Sequence, residues 1–321
     1  MPISSLASYL STMQEFITHW TAVNADLGPA PIVLTGGYAV ANLTTDRTAL
    51  ETKIIAVEGA INVVQAAAEN RDNLKGPMRE RVRQFRAFGQ SFLKGSQYIR
   101  ALPRVPRFNS SPGDFMKALD DMASLWTTIN ASPPPGFIPP LKLQGNYLVA
   151  AFNTDVTAMR AAFQNWDAVS QTLALTRGQR DMLLPPIPPR LSQYRLAVQA
   201  LFPPGHAHIL SLPAVRPAPG STPDPVELSG AWDAGELKAH LQWTASDDPN
   251  LDHYSIRFCD PPRYRAADEG AVENVAPGTL ELLTGTGLGA AGSARIYKVY
   301  VVTTDDNEKG SNSVKVTHPE A

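Results

Sequence analysis

Four groups of residues in this 321-residue chain have the types and spacings that chemistry uses. Gly287-Leu288-Gly289-Ala290-Ala291-Gly292 satisfies the pattern G-x-G-x-x-G, whose glycines let a backbone approach a pyrophosphate at a helix N-terminus. That use needs a strand before the turn and a helix after it. Here the next residues, ARIYKVYVV, alternate as a strand, so the sequence predicts a loop between two strands. His206-Ala207-His208 would place two imidazoles on one side of an extended segment, yet no Cys, Asp or Glu stands nearby to complete a metal shell. Asp120-Asp121, Asp247-Asp248 and Asp305-Asp306 are adjacent acids, and neighbours on a helix or strand face apart. The last two pairs would share a calcium ion only if their loops met, and they lack the dense oxygen spacing of a dedicated loop. His19, His240, His253 and His318 stand singly, with no Ser-His-Asp or Cys-His order. The expectation is a non-enzymatic chain with no metal and no cofactor.

The fourth group is basic. Arg79, Arg83 and Arg86 recur at spacings of four and three beside the apolar Val82 and Phe85, and Arg100, Arg104 and Arg107 follow. From Arg71 to Arg107 there are ten basic residues against two acidic ones, a net of +8. Residues 1–223 carry 20 Lys and Arg against 14 Asp and Glu, a net of +6, whereas residues 224–321 carry 8 against 16, a net of −8. The overall charge of −2 hides this asymmetry. These six arginines are the candidate partner surface. A nucleic acid would use such a stripe on its phosphates, but no base-reading motif accompanies it, so a protein partner or a second copy of the chain is expected and nucleic acid is disfavoured.

The elements that must carry these residues are duplicated. Residues 34–95 recur in order 109 positions later: Leu34, Gly36, Tyr38 and Val40 return as Leu143, Gly145, Tyr147 and Val149. Arg71-Asp72 returns as Arg180-Asp181, and Arg81, Gln84 and Arg86 return as Arg190, Gln193 and Arg195. A constant offset over this length means duplicated architecture. Each copy reads as three helices. The first carries an apolar stripe, Met13, Phe16, Ile17 and Trp20 in one copy and Phe115, Leu119, Met122 and Trp126 in the other. The second is expected to begin near Thr45 or Thr154, capped by the hydroxyl and favoured by the following aspartate. The third is expected after Pro77 or Pro186, with Val82, Phe85, Phe88, Phe92 and Leu93 on its buried face. The matched polar residues are read as caps, turns and inter-helix hydrogen bonds. The Gly36-Gly37-Tyr38 and Gly145-Asn146-Tyr147 corners are read as permissive backbone, a repeated ligand pocket being the alternative. The arginine stripe belongs to the first copy, because the second keeps only Arg190 and Arg195 there.

Beyond a proline-rich stretch read as a stiff, extended linker, the apolar period falls to two in LKAHLQW (237–243), HYSIRF (253–258) and IYKVYVV (296–302). Leu241 and Trp243, the DDPNLDHYSI run leading into Tyr254 and Ile256, and the terminal IYKVYVVTTDDNEKGSNSVKV resemble a fibronectin type III domain, with a turn at Asn307 to Gly310 between its last two strands. The resemblance covers residues 224–318. It implies a seven-strand sandwich of two antiparallel sheets, used as a spacer or binding module and not as a catalyst. The expected architecture is therefore multidomain α plus β: helical repeats at 1–108 and 109–203 forming an all-α bundle, a linker at 204–223, and the sandwich.

One cysteine, Cys259, excludes an internal disulfide framework and reads as a small core residue. The first twenty residues have no basic n-region, continuous apolar run or cleavage site, and no stretch of 18 apolar residues occurs, so neither a leader nor a membrane span is expected, which suits the cytoplasm or a leaderless export route. The function expected is a structural or protein-interaction scaffold capable of self-assembly. The alternative is a ligand-binding module, for carbohydrate among others, using exposed aromatics such as Trp232 or Tyr264, the sandwich loops or a groove between the repeats.

Overall fold

A computed structural model describes residues 3, 6, 8–216, 222–266, 269–304 and 307–319. Among these, six helices precede eight strands: α1 (Ser8–Leu27), α2 (Val40–Phe92), α3 (Pro112–Ala131), α4 (Val149–Asp181), α5 (Ile187–Leu201) and the single turn α6 (Ala207–Leu210), then β1 (Leu228–Asp233), β2 (Lys238–Trp243), β3 (Leu251–Cys259), β4 (Gly270–Val275), β5 (Glu281–Thr284), β6 (Ala294–Thr303), β7 (Glu308–Gly310) and β8 (Val314–Thr317). No helix among the described residues is long and apolar enough to cross a membrane.

The helix boundaries depart from expectation in an instructive way. In the first copy the second and third segments are one 53-residue helix that continues through Pro77. In the second copy they separate, α4 ending at Asp181 and α5 starting at Ile187. One proline removes one backbone donor and a helix can absorb it, whereas Pro185, Pro186, Pro188 and Pro189 fall within five positions and none can be avoided. Arg71-Asp72 consequently lies in mid-helix and caps nothing. Thr45 and Thr154 are not caps either; each hydroxyl donates to a carbonyl four residues back, Ala41 at 3.0 Å and Ala150 at 3.2 Å. The first turn of α2 is instead held by Asn42, whose Oδ1 accepts the Ala39 N–H at 2.8 Å.

The helical residues build two separate cores, and the chain divides into compact units within α2, between Ile61 and Asn62, and within α4, between Thr172 and Leu173. One core joins Met13, Phe16, Trp20 and Val23 of α1 and Leu43 and Leu50 of α2 to Leu191, Tyr194 and Val198 of α5. The other joins Met78, Val82 and Phe85 of α2 to Phe115, Leu119, Trp126 and Ile129 of α3 and Phe152, Val156 and Met159 of α4. Each core thus takes first and second segments from one sequence copy and the third from the other. Every large apolar side chain buried this way contributes on the order of 2 kcal/mol. Phe92, expected inside, is 69% exposed and stacks on Phe88 at 4.8 Å.

The strands form two antiparallel sheets. One has the order β1-β2-β5; the other has β4-β3-β6, with β7 and β8 pairing successive stretches of the same β6 edge. Counting β7 and β8 as one interrupted last strand gives seven strands in two antiparallel sheets, the sandwich architecture that the fibronectin type III resemblance implies. Alternation along β2, β3 and β6 sends Leu241, Trp243, Tyr254, Ile256, Tyr297, Val299 and Val301 inward to a common core. At the break between β7 and β8 the Asn312 side chain accepts the Leu228 N–H at 2.7 Å and donates to the Leu228 carbonyl at 2.8 Å, stitching the two sheets together. Among the described residues between Pro261 and Gly278, residues 270–275 form β4. The buried Cys259 packs at the end of β3.

Candidate functional site

The matched polar residues of the two copies converge on two equivalent clasps. In each corner the backbone turns through left-handed residues, Gly36 and Gly37 at φ 81° and 75°, Gly145 and Asn146 at 79° and 61°. Glycine and asparagine are the residues that tolerate this region best. The turn closes a bridge between Leu34 and Tyr38, or Leu143 and Tyr147. The Tyr38 hydroxyl donates to Asp46 at 2.6 Å, and that of Tyr147 to Asp155. Arg190, from the other copy, stacks on the Tyr38 ring at 4.8 Å and donates to the Thr35 carbonyl at 2.9 Å. Reciprocally, Arg81 stacks on Tyr147 at 3.9 Å and donates to the Gln144 carbonyl at 3.2 Å. Burial and the neighbouring aspartate push both tyrosine hydroxyls well above their ordinary pKa. Tyr, Asp and Arg satisfy one another here, so these corners are fastenings rather than open pockets.

A second matched device follows the third segment. Arg86 donates to the Pro103 carbonyl at 2.6 Å, and Arg195 donates to the carbonyls of Leu212, at 3.2 Å, and Pro213. Each arginine thereby pins an extended strap, Leu102-Pro103-Arg104-Val105 or Leu212-Pro213-Ala214-Val215, against its helix. Arg79 adds a bond to the Pro106 carbonyl at 3.0 Å. Gly89 permits the close approach, since a Cβ there would lie 2.6 Å from Leu102. The stretch 204–216, expected as stiff linker, is therefore partly strap and partly α6; residues 217–221 lie outside the described ones.

The six candidate arginines divide accordingly. Arg79 and Arg86 are half-buried and used in holding the strap. Arg83, Arg100, Arg104 and Arg107 are exposed. Arg83 meets Glu80 at 3.4 Å with both side chains about half exposed, a pair of small value in water. The second strap borders an open groove of about 620 Å³ lined by Pro188, Pro189, Ser192, Leu196, Gln199 and Ala214 together with Arg195 and the exposed Arg216.

Single histidines in the sequence come together in space. His19 of α1 is buried, with Nδ1 2.7 Å from the Tyr194 hydroxyl and Nε2 3.0 Å from the His208 carbonyl. A carbonyl can only accept, so Nε2 carries the proton and Tyr194 donates to Nδ1. His208 in turn lies 2.6 Å from Asp26, and His206 stacks on Phe202 at 4.5 Å. Burial pushes the His19 pKa down, opposed by the His208 carbonyl and helped by the charges of His208 and Arg195. No group of three His, Cys, Asp or Glu side chains among the described residues is arranged to hold a metal; Asp305 and Asp306 lie outside those residues.

In the sandwich, Arg257 bridges Glu269 at 2.7 Å and Glu308 at 2.6 Å, with the Tyr300 ring 4.2 Å away. Burial works against this guanidinium's charge, yet the two carboxylates raise its pKa overall. Tyr264 is not a free platform: its hydroxyl donates to Glu269 at 2.6 Å. Trp232 stacks on His318 at 4.1 Å. The Gly287–Gly292 segment is a loop joining β5 to β6, as its context predicts.

No family model matches the chain, and no curated protein matches it. Partial likenesses exist among solved structures. A pectate lyase of Erwinia chrysanthemi in complex with tetragalacturonic acid shares 14% identity over 29% of this chain, with a TM-score of 0.25. The match spans only 28% of that enzyme's length. An Fn3-like protein from Clostridium thermocellum shares 19% identity, covering 32% of this chain and 98% of that one, with a TM-score of 0.26. The fn3 domain of the human collagen alpha-1(XX) chain shares 14%, covering 33% and 91%, with a TM-score of 0.24. The fold assignment rests on strand order and register: a mixed α and β chain ending in a fibronectin type III-like sandwich.

Proposed function

We propose that this chain is a non-enzymatic structural or protein-interaction scaffold: two tandem three-helix repeats that exchange their third segments, followed by a sandwich module. One observation carries the reading. The polar residues that the two copies share are consumed in internal clasps, while the exposed Arg83 and Arg104 of the first copy fall opposite Ser192 and Ala214 in the second, whose strap keeps one exposed arginine, Arg216. A doubled catalytic or ligand site would place the shared polar groups around a cavity; here they fasten helices. Trp232 and Tyr264 are both engaged internally, so no observation favours the carbohydrate reading.

Sedimentation velocity of the purified full chain at low and high salt tests this. Salt-sensitive association is the expected result, because exposed charge pairs weaken as the screening length shortens. A full-length glycan array with strong, saturable signal would instead point to the ligand-binding alternative.

A further inference from the structure

We propose that Arg83, Arg100, Arg104 and Arg107 receive the acidic end of the sandwich of a second copy, giving head-to-tail association. This rests on the scaffold reading above and names its partner. The two copies differ in charge at this place. Where α5 and its strap present Ser192 and Ala214, α2 and its strap present Arg83 and Arg104. The strap is held by Arg79 and Arg86 through the carbonyls of Pro106 and Pro103. Arg104 and Arg107 therefore stand on a fixed backbone, and less ordering entropy is lost when a partner binds. Among the described residues no carboxylate pairs with Arg100, Arg104 or Arg107.

The occupant follows from charge and topology. The antiparallel pairing of β1 with β2 sets Leu228 opposite Trp243, which brings Asp224 and Glu227 to the end of the sandwich that carries the β2–β3 loop. The Glu227 N–H donates to Thr244 and the Glu227 carbonyl accepts from the Thr244 N–H, at 3.0 and 3.1 Å. In that loop Asp247 is exposed and Asp248 accepts the Asn250 N–H at 2.8 Å, fixing the turn, and the exposed Asp252 follows at the start of β3, 2.7 Å from the His253 imidazole. Between 224 and 252 the only basic residue is Lys238, which pairs with Asp233 at the opposite end of β2. Guanidinium groups meet carboxylates in bidentate geometry, which gives orientation as well as attraction. The contact is heterologous, so it generates a ring or an open chain.

The test is charge-reversal complementation in the full chain, read by sedimentation velocity at about 10 mM salt, where screening extends to about 30 Å. One variant carries Arg83→Glu, Arg104→Glu and Arg107→Glu; the other carries Asp247→Lys and Asp252→Lys. Each alone is expected to associate at least about tenfold more weakly than wild type, and their mixture to recover association. Circular dichroism melting guards against misfolding. Failure of the mixture to recover, or wild-type association by the arginine variant, overturns the proposal. A labelled poly-glutamate peptide separates the two levels. If wild type stays monomeric but binds the peptide through these arginines, the second-copy proposal fails and the scaffold reading stands; if it does neither, both fail.

Discussion

The two helical cores are built from equivalent parts, yet each buries one ionisable group where the other has leucine. In the α1 core this is His19, whose counterpart at Trp126 minus one is Leu125; in the α3 core it is Lys75, whose counterpart is Leu184. His19 is accommodated neutral, between Tyr194 and a carbonyl. Lys75 is accommodated beside Asp72 at 3.0 Å, with the rings of Phe108 and Phe163 at 4.8 and 5.6 Å. Burial and the Arg71 charge push its pKa down, with Asp72 opposing. Burial also works to raise Asp72, but the bond and charge of Arg71, with Lys75, hold it below the usual carboxylate range. One architecture thus tolerates a neutral polar core and a charged one, provided each group finds its partner.

Truncating the aromatic centre of either core should have the largest effect. Trp20→Ala and Trp126→Ala are each expected to cost about 3–5 kcal/mol in denaturant unfolding, and each should lower the stability of its own core first, seen by hydrogen exchange. Equal loss in both cores from either substitution would mean that they unfold as one body. Next come the clasps: Arg190→Ala or Arg81→Ala should cost about 1–3 kcal/mol through a lost ring contact and carbonyl bonds. A double-mutant cycle of Arg190 with Tyr38 that shows no coupling would remove the clasp from the account.

Acid should separate the cores without mutation. The folded pKa of His19 lies below its unfolded value of about 6.5, so the unfolded state binds more protons as pH falls through that value. The α1 core therefore keeps this contribution above about pH 6.5 and loses it below. Facing groups are Tyr194, His206, His208, Asp26 and Arg195. Asp72 contributes to the α3 core above its unfolded pKa of about 3.9 and loses that contribution only as pH falls lower still. Between about pH 6 and about pH 5 only the α1 core should weaken, and His19→Leu with Tyr194→Phe should abolish the slope. Smallest of all, reversing Arg104 and Arg107 should change stability by no more than about 0.5 kcal/mol, since both are exposed.

Much of this comparison is legible in the sequence because it is periodic. The 109-residue offset locates the corners, the stripes and the paired Arg-Asp positions, and alternation locates β2, β3 and β6. Long-range partnership is not periodic. Arg190 and Tyr38 are 152 residues apart, and identical stripes in both copies are equally compatible with exchanged or unexchanged third segments. His19 reads as a lone histidine because its partners lie 175 and 189 positions away. A signal for the straps was present: Leu102-Pro103 returns as Leu212-Pro213 at an offset of 110, beyond the aligned stretch. The division of the arginine stripe into pinning and exposed members depends on where the strap carbonyls fall, which helix spacing does not encode.

The central claim, that function resides where the copies differ, meets its most direct test in zero-length carbodiimide crosslinking of an equal mixture of ¹⁴N- and ¹⁵N-labelled full chain. Lys94, exposed and close in sequence to the arginine strap, supplies the amine. Crosslinks are expected from Lys94 to Asp247 or Asp252 that contain one light and one heavy peptide and vanish at high salt. Crosslinks confined to single chains, or none to the sandwich acids, would contradict it.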